Sequence, residues 1–404
     1  MRNGRVTHYY VHFFSYLCDM EYTQLDIREQ AARVELSAFS TKGGTREWHA
    51  ILHVEPQEDT FEEQYARLCR TEEALMAREE MTGAKAVLKR YFLSDSTNQC
   101  PLMHSVRSPH CTTSYIQQPP LDGSRVALWI YLQEGADTVE YEADTYGSTI
   151  VSHNGYRHIW TMGLVDTQGS SHDQTHTLLE RYGQLLTAQG ATVADNCLRT
   201  WFFVRDVDTQ YHGLVVARRE HFDRIGLTSS THYISSTGIG GNPAETKALV
   251  QLGAYAMTGF LPEQQRYLYA PTHLNRTSDY GVTFERGTLM LYGDRRHAYI
   301  SGTASIDNHG EVVHVGDIRR QTLRMWENVE QLLAEADMTM EHCAHIIVYL
   351  RDTADYTIVS RMFAERFPSV PTVITMAPVC RPAWLIEMEC MAIREDKNPE
   401  YRAF

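Results

Sequence analysis

The chain contains an internal repeat, which restricts its fold more than any single motif because every copy must form the same small unit. The segment DQTHTLLERYGQLLTAQGATVADNCLRTWFFVRD (173–206) matches RQTLRMWENVEQLLAEADMTMEHCAHIIVYLRD (320–352). The glutamine near the start of each segment and the Arg-Asp pair at its end lie 147 and 146 residues apart, so the register hardly slips. We therefore expect two copies of one structural unit.

A weaker third copy lies near the start of the chain, at FEEQYARLCRTEEALMAREEMTGAKAVLKRYFLSD (61–95). In each copy the apolar pattern predicts a hairpin, an amphipathic helix, a strand ending in Asp, a second helix and a last strand. In the C-terminal copy that second helix is DYTIVSRMFAERF (355–367), with its apolar residues on one side. Strands with helices on one face predict an α+β layer fold. Three such copies predict sheets that close on one another as an intramolecular pseudo-trimer.

The repeat also predicts the domain limits. We expect domains at 1–135, 136–270 and 271–404, with irregular connectors at 117–120 and 261–279. A chain of 404 residues exceeds the usual size of one compact core, which agrees with several domains.

The net charge limits the classes of partner. It is −14, whereas general binding to nucleic acid or to an anionic membrane needs a basic footprint, so we expect neither partner. A small anionic substrate remains compatible, because a few local arginines suffice to bind it. The apolar segment HYYVHFFSYLC (8–18) is too short to span a membrane and predicts a buried strand.

The cysteines and histidines give little support to a metal site. The eight cysteines include no CxxC pair, and the histidines form no HExxH or similar cluster. Scattered cysteines indicate free thiols in a reducing cytoplasm. The GIGG run at 238–241 does not lie between a strand and the start of a helix, as nucleotide-binding glycines do, and predicts a loop.

The last strand carries two acids where apolar residues are expected. PVCRPAWLIEMEC (378–390) resembles a buried strand, but Glu387 and Glu389 interrupt it. In the other two copies the position of Glu387 holds Gln251 and Ala127, so the carboxylate occurs in one copy alone. An unpaired buried carboxylate is costly, so Glu387 is either paired and structural or has a function, and the pattern favours function. Glu389 lies on the same strand face and is the candidate for a structural role.

The run YISGTASIDNHGEVVHVGDIRRQTLRMWENVEQLL (299–333), with IIVYLRD and LIEMECMAI after it, resembles the RidA (YjgF-type) superfamily, small chorismate mutase-like proteins whose trimers carry sites between subunits. SGTASI and VCRPAWLIEMEC resemble, more specifically, the chorismatases. These join two RidA-like domains and cleave chorismate to pyruvate plus a dihydroxycyclohexadiene acid or a hydroxybenzoate. The resemblance is strong over 285–395, fair over 150–257 and weak before 130, so the N-terminal copy is expected to be an additional RidA-like domain.

The resemblance implies catalytic roles for two residues. Glu387 matches the strand in which chorismatases place their catalytic acid, which protonates the enol ether of the substrate. Cys380 matches the subtype that forms 3-hydroxybenzoate, whereas Ala304 resembles the hydrolytic subtype, so the product remains open. A plain buried core cysteine is the alternative for Cys380. A reaction of this kind needs no metal or organic cofactor.

Several further residues are predicted to bind the substrate. Arg381 would provide a fork for a carboxylate, unless it is an exposed loop arginine. Arg286 and Tyr280 match family positions. The backbone and hydroxyl donors of the strand end could meet a carboxylate; they belong to Gly302, Thr303, Ala304 and Ser305.

Two departures keep other functions open. Chorismatases carry an arginine in a PRSPSF-like run, but this chain has SDYGVTF (278–284), with Arg276 as a possible substitute. This loss favours a non-catalytic protein that binds a small acid. The remaining alternative is a RidA-type enamine or imine deaminase, which uses a PxR arginine where this chain has Thr372 or Val373. In every case we expect a small anionic ligand such as chorismate and a monomer or homo-oligomer of pseudo-trimers.

Overall fold

Three mixed β-sheets, each packed against helices, form the protein, as the α+β prediction requires. The structure is a computed structural model that describes residues 20–143 and 147–404. The strand predicted at 8–18 lies outside the described residues. Apart from the two-residue strand Asn242–Pro243, which joins the first sheet, strands up to Glu134 form the first sheet, strands from Thr138 to Thr258 the second, and strands from Gln265 onward the third.

The N-terminal unit begins with three antiparallel strands and continues with alternating helices and strands. Its elements are β1 (Glu21–Ile27), β2 (Ala32–Ser40), β3 (Arg46–Val54), α1 (Phe61–Met76), β4 (Lys85–Leu93), α2 (Ser96–Val106), β5 (Thr112–Gln117) and β6 (Val126–Glu134).

The middle unit repeats this order, with one short extra helix and one short extra strand. Its elements are β7 (Thr138–Glu142), β8 (Ser148–His153), β9 (Tyr156–Val165), α3 (Ser171–Ala188), α4 (Val193–Asn196), β10 (Cys197–Val204), α5 (Val207–Arg224), β11 (Ser235–Gly240), β12 (Asn242–Pro243) and β13 (Val250–Thr258).

The C-terminal unit has the same plan. Its elements are β14 (Gln265–Leu268), β15 (Gly287–Leu291), β16 (Arg295–Ala304), α6 (Ile318–Glu335), β17 (Cys343–Leu350), α7 (Tyr356–Arg366), β18 (Thr372–Met376) and β19 (Ile386–Glu395).

The strand order is the same in all three sheets, which confirms the repeat. The orders are β1-β2-β3-β6-β4-β5, β7-β8-β9-β13-β10-β11 and β14-β15-β16-β19-β17-β18, and β12 extends the first sheet beyond β5. In each unit the fourth and fifth strands are parallel and a helix connects them, because a parallel connection needs a crossover. The last strand of each unit returns to the centre of its sheet.

Capping and apolar spacing explain the first helix of each unit. Thr60 and Ser170 form capping boxes at the starts of α1 and α3, and the Asp317 carboxylate accepts from the Arg320 amide at the start of α6. The buried residues of α6 recur every three or four positions, from Ile318 to Leu333. Each helix therefore packs its apolar face against its sheet.

The structure corrects three predictions of local structure. Each unit opens with three antiparallel strands rather than a hairpin, and β14 lies inside 261–279, which was predicted to be irregular. The short β14 pairs with β15 and leaves little periodic pattern in the sequence. The GIGG run was predicted to be a loop, but Gly238 and Gly240 belong to β11, which pairs in parallel with β10.

Each sheet contacts both of the others through buried hydrogen bonds. Ser37 Oγ donates to the Ala344 carbonyl at 2.7 Å, Gln251 Nε2 donates to Ser114 Oγ at 2.8 Å, and the Ser236 amide donates to Ser301 Oγ at 2.9 Å. A large apolar core with residues from all three units fills the space between them.

The strand register supports the alignment of the three last strands. Ala127 pairs with Phe92, Gln251 with Phe203, and Glu387 with Tyr349. These partners occupy the same position in the fourth strand of each unit. Glu387 is therefore the acid that replaces an amide in the middle unit and a methyl group in the N-terminal one.

Candidate active site

A cavity that contains Glu387 lies between the middle and C-terminal units. Its empty space, with the open mouth included, is about 530 Å³. The middle unit contributes Tyr211, Arg218, Ser236 and Gly238, and the C-terminal unit contributes Val282, Phe284, Arg286, Gly302, Ala304, Ile306, Cys380, Arg381, Trp384 and Glu387.

Among the described residues that line this cavity, Glu387 is the one acidic side chain. Its side chain is buried, with the residue 4% exposed, in the centre of a sheet between β16 and β17. Burial, reinforced by the negative charge of Glu389, raises its pKa to about 8, although Arg199 and Arg286 act in the opposite direction. The carboxyl group is therefore mostly protonated at neutral pH, as a general acid must be.

Gly302 makes room for this acid. A β-bulge in β16 interrupts its pairing with β19 between Ile300 and Thr303, and the Gly302 amide donates to Thr237 Oγ1 at 2.9 Å. A Cβ at position 302 would collide with the Glu387 carboxylate. The absence of a side chain at Gly302 is thus required by the close approach of Glu387.

Glu389 is also fully buried, but cations and hydrogen-bond donors surround its carboxylate. Its carboxylate accepts from Arg90 Nη1 at 3.1 Å, Arg199 Nη2 at 2.7 Å, Trp201 Nε1 at 3.0 Å and Thr237 Oγ1 at 2.5 Å. Burial favours the neutral acid, but the two guanidinium groups and these hydrogen bonds outweigh it and hold the pKa of Glu389 below its ordinary value. Glu389 is the ionised partner in a contact that joins all three units.

Three arginines make the cavity suitable for an anion. Arg286 is buried and donates to the side chain of Asn275 at 3.2 Å, and Arg381 lies over the Trp384 ring at 4.9 Å. Arg218 reaches the cavity from α5 of the middle unit, where Nε donates to Thr283 Oγ1 at 3.2 Å. Guanidinium groups are suited to recognise carboxylates.

Cys380 lies beside Glu387 and forms a hydrogen bond with Tyr211. Burial, together with the nearby Glu387, raises the pKa of the Cys380 thiol to about 12. Cys380 is therefore a neutral thiol at physiological pH rather than a thiolate nucleophile. The Tyr211 ring lies so close to Gly238 that a Cβ there would clash with it.

Six of the nine predicted site residues line the cavity: Glu387, Cys380, Arg381, Arg286, Gly302 and Ala304. The side chains of Thr303 and Ser305 do not, because they donate to the carbonyls of Ser301 and Val313. Tyr280 ends a short 3-10 helix (Thr277–Tyr280), and its side chain lies outside the described part of the structure.

Arg276, the possible substitute for the missing family arginine, does not line the cavity. It lies over the Tyr269 ring at 4.6 Å, with Glu285 3.9 Å away. Thr372, at the place of the deaminase arginine, begins β18, and its amide donates to Glu35 of the N-terminal unit.

The contribution of the middle unit was missed from the sequence. Arg218 shares the buried side of α5 with Leu214, Ala217 and Phe222. A charged residue on such an apolar stripe is a signal for a buried polar site, and this signal could have identified Arg218.

Among the described residues, no group of three or more His, Cys, Asp and Glu side chains is arranged to hold a metal ion. None of the described helices has the length and apolarity to cross a bilayer.

In the comparison with known protein families, the match lies in the C-terminal unit. The family model Endoribonuclease L-PSP matches residues 292–394. A RutC family protein of Pyrococcus abyssi is 34% identical over 100 residues, which cover 24% of this chain and 78% of that protein. The 3-aminoacrylate deaminase RutC of Acinetobacter baylyi is 36% identical over 70 residues, or 17% of this chain and 56% of that enzyme.

A longer similarity exceeds the length of one unit. A chorismatase of Streptomyces rapamycinicus is 26% identical over 210 residues, which cover 47% of this chain and 62% of that protein. A crystal structure of a chorismatase superimposes with a TM-score of 0.59 at 17% identity, covering 76% of this chain and 92% of the other, and it shows a shared fold.

The fold and these matches define the class of protein: the chain belongs to the RidA (YjgF-type) superfamily. Within that superfamily its sequence and its fold are similar to those of chorismatases, and part of the chain lies outside these matches. The matched segments span little more than half of the RutC enzyme and of the chorismatase sequence.

Proposed function

We propose that the protein cleaves the enolpyruvyl ether of chorismate, or of a closely related acid, with Glu387 as the general acid. The observation that carries this proposal is a buried carboxyl group, mostly protonated at neutral pH, in a cavity lined by three arginines. A neutral acid beside cations fits a substrate that carries carboxylates and accepts a proton. The similarity to chorismatases supports the same reaction.

The reaction begins when Glu387 donates its proton to the methylene carbon of the enol ether. The ether carbon then becomes an oxocarbenium-like centre, which water or a ring hydroxyl attacks. Water attacks this carbon and returns one proton to the Glu387 carboxylate. The resulting hemiketal passes its hydroxyl proton to the ring oxygen as the bond to that oxygen breaks, which releases pyruvate and a dihydroxycyclohexadiene acid. When a ring hydroxyl attacks instead, its proton returns to Glu387 and a cyclic ketal forms; one ring C–O bond and one ketal C–O bond then break, a ring carbon loses a proton that the remaining ring oxygen takes up, and pyruvate and a hydroxybenzoate leave without net uptake of water.

Arg218, Arg286 and Arg381 are proposed to bind the two carboxylates of the substrate. Arg218 comes from the opposite wall of the cavity and offers a cation that the SDYGVTF run lacks. The ligand would thus lie across the boundary of two units. Phe284 and Trp384 provide apolar walls for the ring.

The alternative functions have less support in the site. A RidA-type deaminase would need an arginine where β18 begins, and that position holds Thr372. The nuclease activity in the name of the matching family would need a basic surface, whereas the net charge is −14.

We also propose that the three units form an intramolecular pseudo-trimer with limits at 1–135, 136–270 and 271–404. The equal strand orders and the mutual contacts of the sheets support this arrangement. One of the three boundaries would then carry the site described above.

The direct test is incubation with chorismate, with pyruvate detected by lactate dehydrogenase and the aromatic or cyclohexadiene product identified by mass spectrometry. We expect pyruvate and one such product in equal amounts. Tight binding of a hydroxybenzoate without any release of pyruvate would instead identify a binding protein.

A further inference from the structure

The N-terminal unit contributes none of the described residues that line the cavity, yet it reaches Glu387 through a short electrostatic path. Arg90 on β4 is fully buried between aromatic rings, 5.2 Å from the Trp129 centroid and 5.2 Å from that of Trp201. Its Nη1 donates to the Glu389 carboxylate at 3.1 Å, and this ion pair is buried in the core.

Glu389 connects this arginine to the acid. Glu387 and Glu389 are two positions apart in β19, so both side chains lie on one face of the strand, about 7 Å apart along it. At such a distance in a buried setting, one charge has a strong effect on the ionisation of another. The negative charge of Glu389 therefore opposes the loss of the Glu387 proton.

The size of this effect depends on the cations that hold Glu389. Arg90 and Arg199 bind different oxygens of its carboxylate, at 3.1 and 2.7 Å. Arg199 acts on Glu387 directly and lowers its pKa, whereas Arg90 acts on Glu389, whose negative charge it offsets in part. The charged and titratable groups around Glu387 are Glu389 on its own strand, Tyr349 on β17, Arg199 on β10, Arg218 and Tyr211 on α5, Arg286, Cys380 and Arg381.

We propose that Arg90 makes the N-terminal unit a functional part of the active site, because its ion pair with Glu389 sets how strongly Glu387 holds its proton. Arg90 and Glu389 are positioning residues in this account, since neither lines the cavity. This inference rests on the proposed function only where the Glu387 proton is taken to be the one transferred to the substrate. The effect of Arg90 on the ionisation of Glu387 can be measured without turnover.

The test measures the titration of Glu387 directly. The carbonyl stretch of its protonated carboxyl group is followed by infrared difference spectroscopy between pH 5 and 10, with Glu387→Gln as the subtraction reference. Arg90→Met keeps an apolar side chain between the rings and leaves Glu389 bound to Arg199, Thr237 and Trp201. The titration midpoint should rise by about half a unit or more, because Glu389 loses one of its two cations.

Glu389→Gln should move the midpoint in the opposite direction, by about one unit or more, because the negative charge disappears and both cations remain. If this variant does not fold, Arg90→Met still decides the question. The matched control is Arg67→Met, which removes another buried arginine of the N-terminal unit, paired with Asp59 at 2.5 Å and remote from β19. It should lower stability and leave the midpoint unchanged.

A midpoint that stays fixed or falls in Arg90→Met would overturn the inference, as would an equal rise in the Arg67→Met control. A protein that releases no pyruvate from chorismate, but whose midpoint rises in Arg90→Met and falls in Glu389→Gln, would retain the inference and lose the proposed function. The two failures are therefore distinguishable.

Discussion

Glu387 and Glu389 lie two residues apart on one face of β19, and their surroundings drive their ionisation in opposite directions. Burial and the charge of Glu389 raise the pKa of Glu387 to about 8, whereas two arginines hold that of Glu389 below its ordinary value. A pair of acids separated in this way has distinct roles, one as proton donor and one as fixed charge. The neutral member is the one that faces the cavity.

The raised pKa of Glu387 predicts a loss of stability as the pH increases. In the unfolded chain this group ionises near 4.5, while in the folded protein it keeps its proton to about pH 8. Its contribution to stability is therefore complete below about pH 4.5 and decreases by about 1.4 kcal/mol per pH unit up to about pH 8. Glu387→Gln removes this contribution, because the amide does not titrate.

Calorimetry of both proteins checks this prediction. The melting temperature of Glu387→Gln relative to the parent should increase steadily from pH 5 to pH 8 and then level off. A difference that is constant over this range would mean that Glu387 ionises normally in the folded protein.

Arg218 is predicted to bind the substrate. Arg218→Met should weaken binding by about tenfold to a hundredfold, since a charge-assisted hydrogen bond contributes about 1.5–3 kcal/mol. Steady-state kinetics should show this as a higher KM for chorismate. Arg219→Met is the matched control, because Arg219 is the next residue of α5 and is exposed. Equal KM values for the two variants would remove Arg218 from the binding site.

Gly302→Ala should lower kcat strongly while the protein remains folded. The added Cβ would occupy the place of the Glu387 carboxylate and force the acid to move. Gly183→Ala provides the control, since a Cβ there meets only Val193 at an ordinary 3.9 Å and the site lies in helix α3. Circular dichroism should show both variants folded, and a fully active Gly302→Ala would contradict the proposed position of the acid.

Cys380 is predicted to react slowly with alkylating reagents. Its pKa is raised to about 12 by burial and by Glu387, so the reactive thiolate is scarce at neutral pH. Mass spectrometry after iodoacetamide treatment at pH 7.5 should find Cys380 unmodified when Cys69 has begun to react, although both residues are partly exposed and burial also raises the pKa of Cys69. Preferential alkylation of Cys380 would indicate an activated nucleophile.

Much of the fold could be predicted from the sequence, because the repeat of helix, strand and Arg-Asp pair is local and survives divergence. Short β14 could not, since four residues carry too little periodic pattern. The acid was also predictable, because Glu387 interrupts an apolar strand where the other copies hold Gln251 and Ala127. Arg218 was missed, as the sequence alone does not show that α5 of one unit brings it to a cavity whose other wall includes residues of β16 and β19 from another.

The same limit explains the errors at the strand end. Thr303 and Ser305 were grouped with Gly302 as donors, but the bulge in β16 and the pleat direct their hydroxyl groups to backbone carbonyls. The pairing of Glu389 with Arg90 and Arg199 joins residues 190 to 299 positions apart, which only the assembled core brings together.

The most direct test of the account is the pH dependence of pyruvate release from chorismate in the parent and in Glu387→Gln. If Glu387 donates the proton, kcat should stay level below pH 7 and fall as the pH passes through about 8, and Glu387→Gln should be slower by about a hundredfold to ten-thousandfold. Release of pyruvate by Glu387→Gln at the parent's rate, with the same pH profile, would contradict the account.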